Sequence, residues 1–240
     1  MLNISWDPVL IALSYLVAFI ASFVALDSAG KIPLSSRKTA MFWRIAGGVT
    51  LGIGIWSMHF IGMLSMQMPM IMSYNLWLTL ASLGVAVVAS TVAINIAVTG
   101  KTLSPFRLIV ATVLLSAGVV CMHFIGMAAL MLDSHILWDR RIVAVSVLIA
   151  VMASGAALWL AFRLRDMRKG VFINRILAAC VLGVAICAMH YTGMRAAHFQ
   201  EMTQTQPAAI SEMPKSDTLS VTTLCQHGRM INKSHNDTHR

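Results

Sequence analysis

Three short stretches carry the residue types that could do chemistry. Met58-His59-Phe60-Ile61-Gly62-Met63 recurs as Met122-His123-Phe124-Ile125-Gly126-Met127, and with two changes as Met189-His190-Tyr191-Thr192-Gly193-Met194. Residues four apart share a helix face, so each copy presents an imidazole (His59, His123, His190) one turn from a thioether (Met63, Met127, Met194). The leading methionines, Met58, Met122 and Met189, point about a quarter turn away. The glycines Gly62, Gly126 and Gly193 leave backbone clearance for a neighbour or a ligand. Imidazole with thioether is a ligand set for copper, above all Cu(I), and a poor one for calcium or magnesium. Three converging histidines would also suit Cu(II) or zinc. No copy contains a carboxylate, which weakens zinc-hydrolase and non-haem iron readings.

The elements that must position these groups are membrane helices. Of 240 residues, 58% are hydrophobic and 11% charged, less than half the charged share of about 25% in soluble domains. Apolar runs near twenty residues recur, each long enough to cross a hydrocarbon core. The predicted fold class is all-α: a multi-pass transmembrane bundle of three tandem helical hairpins. Its helices fall at about 8–29, 40–65, 75–98, 105–131, 138–162 and 171–197. Residues 1–200 make the membrane domain, and the polar stretch 201–240 reads as disordered. The first residues lack the basic n-region of a signal peptide, so the first apolar run is expected to remain as a helix.

The motif starts at 58, 122 and 189, and two helices fit in each interval, which suggests pseudo-threefold packing. Small residues precede each copy (Gly48, Gly52, Gly54; Ser116, Gly118; Gly183, Ala185) and let backbones approach in lipid. Helices 2, 4 and 6 are therefore expected inside.

A net charge of +9 would suit nucleic acid, but its placement does not. Eleven of the eighteen Lys and Arg residues sit in or beside the connectors 1–2, 3–4 and 5–6, the pattern of topogenic charge. By the positive-inside rule these connectors are cytoplasmic, the N-terminus is outside and the motifs lie near the outer face. Four cysteines form no CxxC pair, and no structural disulfide is expected.

Other candidates are weaker. His198 could be a second-shell or entry ligand, as could His135, while His227, His235 and His239 lie in the polar tail. Met66, Met68, Met70 and Met72 could extend a soft-ligand path, although methionine is also a routine gap-filler. Asp27 reads as a helix-end group and Asn95 as an interhelical partner. A lone membrane histidine can simply hydrogen-bond a neighbouring helix; three copies at matching helix ends favour metal or haem. No nucleotide loop, nucleophile elbow or catalytic carboxylate pair is present, so no enzyme is expected. Two further readings stay open: a membrane copper-handling or transport protein, and a bis-histidine haem protein.

Met189-His190-Tyr191-Thr192 is the tetrapeptide after which the MHYT domain is named, and the copies at 58 and 122 are close variants. Residues 8 to 200 resemble that family of bacterial integral membrane sensors. The resemblance implies a protein of the bacterial cytoplasmic membrane that binds copper and senses oxygen, carbon monoxide or nitric oxide. It implies His59, His123 and His190 as ligands, then Met63, Met127 and Met194, then Met58, Met122 and Met189. The family pattern has seven helices and this chain six, because the segment after His198 is too polar for a seventh. Family members are often fused to enzymes of cyclic di-GMP turnover or to a histidine kinase. The chain is thus expected to act through a separate signalling partner protein.

Overall fold

In lipid a backbone amide has no water to bond, so each apolar run must satisfy itself as a helix. The computed structural model describes residues 5–67, 73–99, 102–131, 134–165, 171–201 and 218–219. Six of its helices are long and apolar enough to span a membrane: α1 Pro8–Lys31, α2 Arg37–Leu64, α3 Leu76–Val98, α4 Pro105–Ala128, α5 Arg140–Arg165 and α6 Val171–Arg195. The chain is a multi-pass helical membrane protein. Consecutive helices pack side by side, and α6 returns to α1 to close the ring.

Each hairpin is tied at the motif end by a short antiparallel strand pair, where the sequence reading places plain links. β1 (Ser5–Trp6) pairs with β2 (Met66–Gln67), β3 (Ser73–Asn75) with β4 (Leu130–Met131), and β5 (Ser134–Trp138) with β6 (Ala197–Glu201). A fourth partner, β7 (Thr218–Leu219), adds to the free side of β3. The rest of the tail read as disordered, with its three histidines, lies outside the described residues, as do Met68, Met70 and Met72.

The tie repeats one local device. An aromatic followed by Asp or Asn precedes each odd helix: Trp6-Asp7, Tyr74-Asn75 and Trp138-Asp139. The Asx side chain accepts from the first turn, as Asp7 does from Val9 N–H at 2.8 Å, Asn75 from Leu78 N–H at 3.1 Å and Asp139 from Arg141 N–H at 2.8 Å. Each such cap is worth about 1 kcal/mol. The backbone N–H of the same residue donates to the carbonyl that ends the partner helix. Asp7 bonds Ser65 at 2.8 Å, Asn75 bonds Ala129 at 2.8 Å and Asp139 bonds Ala196 at 2.9 Å. One residue thus satisfies the start of one helix and the end of the next.

The opposite, basic end is held by charge. Asp27 accepts from Arg175 at 2.8 Å and pairs with Lys31 at 2.7 Å, joining α1 to α6. Arg44 on α2 donates to Asn95 of α3 at 3.3 Å, and Arg107 on α4 donates to the carbonyls of Ile96 and Thr99 that end α3. Asp27 and Asn95 are therefore interhelical fasteners. Cys121, Cys180 and Cys187 are free thiols.

At the motif end the even helices meet at His59, His123 and His190, and the small residues ahead of the motif seat them against the odd helices. Gly54 lies against Ala21 of α1 and Gly118 against Ala89 of α3, where any side chain would collide. Toward the basic end the arrangement changes, because the helices cross: α5 reaches the axis and packs on α1 and α3 as well as on its neighbours.

Tyr74 is buried in the strand layer. Its ring is 7% exposed and packs on Phe60 at 5.6 Å, its hydroxyl is buried without a partner among the described residues, and burial pushes its pKa up to about 12. Because this pKa lies above the ordinary 10.0, ionisation opposes the fold, and the tyrosine costs stability as pH rises from about 10 toward about 12. Tyr74→Phe should keep the ring packing and lose only an uncompensated hydroxyl. Thermal unfolding in detergent should show a Tm unchanged or raised, within about 1 kcal/mol, and phenolate titration should lose its late component. A Tm lowered by several degrees would mean that the hydroxyl has a partner.

Candidate metal centre

His59, His123 and His190 each sit five residues before their helix ends, at Leu64, Ala128 and Arg195. That places them at one depth, about 7.5 Å from the helix ends. The three helices converge there, and the rings are 0%, 1% and 0% exposed. Nδ1 of His59 lies 3.0 Å from Nδ1 of His190 and 3.2 Å from Nδ1 of His123. One ligand atom from each ring falls within 4.8 Å of the others. The ring planes stand nearly perpendicular, at 76°, 89° and 80°, as a pinwheel would.

The seat of each ring is a glycine on another even helix. Nε2 of His190 faces Gly62 on α2, Nε2 of His59 faces Gly126 on α4, and Nε2 of His123 faces Gly193 on α6. A Cβ at Gly193 would lie 2.6 Å from the His123 nitrogen, and at Gly62 or Gly126 the clash would be closer still. The clearance expected from these glycines is thus filled by a neighbour's histidine, and the three seats close into one cycle.

This packing defines the chemistry. Among the described residues all three Nε2 atoms are buried without hydrogen-bond partners, an arrangement that costs free energy unless something compensates it. Two Nδ1 atoms about 3 Å apart need either a shared proton or a shared cation between their lone pairs. His59 faces two such partners and has one proton to place. Donors about 2.0–2.1 Å from one ion lie roughly 3.3–3.5 Å apart, close to the two separations that involve His59, and the third pair lies within 4.8 Å. The residues therefore fit a three-nitrogen metal site. A ligating imidazole usually donates its other N–H to an outer acceptor; here a glycine backbone fixes the ring by shape instead.

The two sets of methionines part company. Met63, Met127 and Met194 share one buried cluster with Met66, Tyr74, Leu130 and Ala197, a thioether layer between the histidines and the strands. Met58 packs on Ala18 and Cys187, whereas Met122 and Met189 belong to the main core. The leading methionines are thus not gathered into one site. His198 is exposed on β6, opposite Leu137, and outside the histidine cluster. His135 lies on β5, and its side chain is outside the described residues.

Sequence reasoning missed the aromatic roof. Phe60, Phe124 and Tyr191, each next to a histidine, pack on Tyr74, Trp138 and Trp6 at 5.6, 5.0 and 5.7 Å. The signal was present as the repeated aromatic–Asx pair. In the third copy Tyr replaces Phe, and its hydroxyl reaches Ser14 of α1 at 2.9 Å, which joins the last hairpin to the first.

Comparison with known proteins supports a shared origin. The profile of the MHYT family, described as "Bacterial signalling protein N terminal repeat", matches residues 52–111, 117–173 and 183–211. The chain is 46% identical over 199 residues to the bifunctional diguanylate cyclase/cyclic di-GMP phosphodiesterase MucR of Pseudomonas aeruginosa, covering 83% of this chain and 29% of that protein. It is 33% identical over 202 residues to the signaling protein YkoW of Bacillus subtilis, covering 83% and 25%. To the cyclic di-GMP phosphodiesterase NbdA of P. aeruginosa it is 33% identical over 195 residues, covering 81% and 25%. The chain thus spans less than a third of the length of these relatives. No solved structure matches. With three profile repeats and relatives aligned along most of its membrane helices, the chain belongs to the MHYT family of bacterial signalling proteins.

Proposed function

We propose that the chain is a sensor module of the bacterial cytoplasmic membrane. It holds copper at His59, His123 and His190 near the extracytoplasmic face and responds to oxygen, carbon monoxide, nitric oxide or redox state. The observation that carries this reading is the convergence of three buried Nδ1 atoms with no carboxylate in the cluster among the described residues. Met63, Met127 and Met194 supply a soft layer beside them, which suits copper better than harder ions. Bound there, copper would supply a one-electron couple and a coordination position for a diatomic ligand. The orientation rests on the basic residues gathered at the far end of the bundle.

The seats of the rings supply the coupling. Since each imidazole rests on the next even helix, a small rotation of one ring presses on that helix, and the cycle passes the displacement to all three. The strand ties restrain the motif end, so motion would emerge at the basic end. MucR and NbdA are named for cyclic di-GMP enzymes, and an activity of that class, on a partner or in the same polypeptide, is the proposed output. The chain itself acts as a non-enzymatic input surrounded by lipid.

Geometry weighs against the two alternatives. Ring centroids 4.9 to 5.5 Å apart, with glycine behind each ring, leave no slot for a porphyrin. Inward of the histidines the axis is walled mainly by apolar side chains such as Ile55, Val119 and Leu182, which offer no ligand ladder for transport.

Elemental analysis and an absorption spectrum of the purified protein test the site. We expect about one copper per chain, lost in the His59→Ala, His123→Ala, His190→Ala triple variant because nitrogen donors dominate the set. Low copper unaffected by these substitutions would defeat the copper reading, and a Soret band would replace it with haem. A second test separates the seat from the ligands. Gly126→Ala should push the His59 ring aside and weaken copper binding by about tenfold or more. Gly84→Ala, where a side chain meets open space, should leave binding unchanged. Equal affinity in the two variants would show that the glycine seat does not set the geometry.

A further inference from the structure

Inward of the histidines the six helices do not fill the axis. They line a cavity of about 40 Å³ with a wall from every helix: Ser22 on α1, Ile55 on α2, Ile94 on α3, Val119 on α4, Leu158 on α5 and Ile186 on α6. Met189, the residue before His190, lines it as well, so cavity and histidine layer share a turn of α6. A void of this size could hold water by volume, since about 10–15 Å³ suffices for one molecule, but each water needs two to four polar partners. The side chains of the wall offer only the hydroxyls of Ser22 and Ser154. Ser22 is 1% exposed, and among the described residues its oxygen has no hydrogen-bond partner. Two hydroxyls cannot serve a filled chamber, so water is a poor occupant. An empty void forfeits dispersion contacts along its whole lining, and a small apolar molecule restores them. Such a molecule dissolves in hydrocarbon and reaches the helices from the membrane itself.

We infer that this cavity is a docking site for one uncharged, dioxygen-sized gas molecule, distinct from the histidine centre, with the Ser22 and Ser154 hydroxyls as the polar side-chain groups of its wall. Its sensory meaning rests on the function proposed above, because an occupant would bear on Met189 and hence on the neighbouring His190. The docking itself does not depend on metal.

Xenon is the probe, applied under pressure to the full chain in lipid nanodiscs with methyl-labelled Ile, Leu and Val. The methyl resonances of Ile55, Val119 and Ile186 should shift and saturate with pressure, whereas those of lipid-facing Val88 should drift linearly. Dioxygen in the same cell should broaden the same three residues with the same saturation. Ala150→Val adds carbons to a buried wall position and should reduce the saturable shift by about tenfold or more, while Ser22→Ala should leave xenon binding in place. Linear shifts throughout, or water cross-peaks to Ile55 and Ile186 that xenon does not displace, would overturn the site. If Ala150→Val does not fold, saturation in the wild type decides alone. The copper reading fails separately: the triple histidine variant should keep its xenon site when its copper is gone, and copper retained without a xenon site would sink the cavity only.

Discussion

A histidine ring can stand at the centre of this bundle only where another helix gives up its side chain. The architecture of the motif end follows from that exclusion. His59, His123 and His190 each occupy the volume that a Cβ would fill at Gly126, Gly193 and Gly62, so the motif's histidine and its glycine are two halves of one contact made between different repeats. Neither half works within its own helix. The contact also helps fix ring direction by shape, turning each Nε2 toward its glycine while Nδ1 of His59 faces those of His190 and His123. A hydrogen-bonded second shell would hold the rings as well, but it would not make the position of one helix depend on the ring of another.

That dependence needs a frame that does not yield at the same end. The strand pairs provide it, and they do so economically in residues. Asp7, Asn75 and Asp139 each cap an odd helix with the side chain and bond the terminal carbonyl of an even helix with the backbone. Unpaired helix ends near lipid would be costly, so the ties serve stability as well as alignment. The aromatic layer of Trp6, Tyr74 and Trp138 then covers the thioethers, with Tyr74 itself buried.

The other end is built differently. There Asp27, Arg175, Arg44 and Arg107 join helices through long side chains and charge, contacts that tolerate sliding better than packed glycine does. The axis between the two ends is underfilled. A bundle tied at one end, loosely packed in the middle and fastened by flexible arginines at the other has its stiffness graded along one direction. This grading is what the proposed signalling role would use.

Much was legible in the residues alone. Hydropathy and run length determined the membrane class and the six helices, because burial in lipid is a local demand met by each run separately. The place of the motif at each even helix's end determined that the histidines share one depth, since helical rise converts an equal distance from the helix end into equal height. The aromatic–Asx pairs carried the strand ties, but as a two-residue signal outside the apolar runs. Only the tertiary structure decided which glycine receives which histidine, and that Met63, Met127 and Met194 gather while Met58, Met122 and Met189 disperse. The same holds for the exposed placement of His198 and for the axial cavity. These features depend on the relative rotation and tilt of helices far apart in the chain, which periodicity within one helix does not encode.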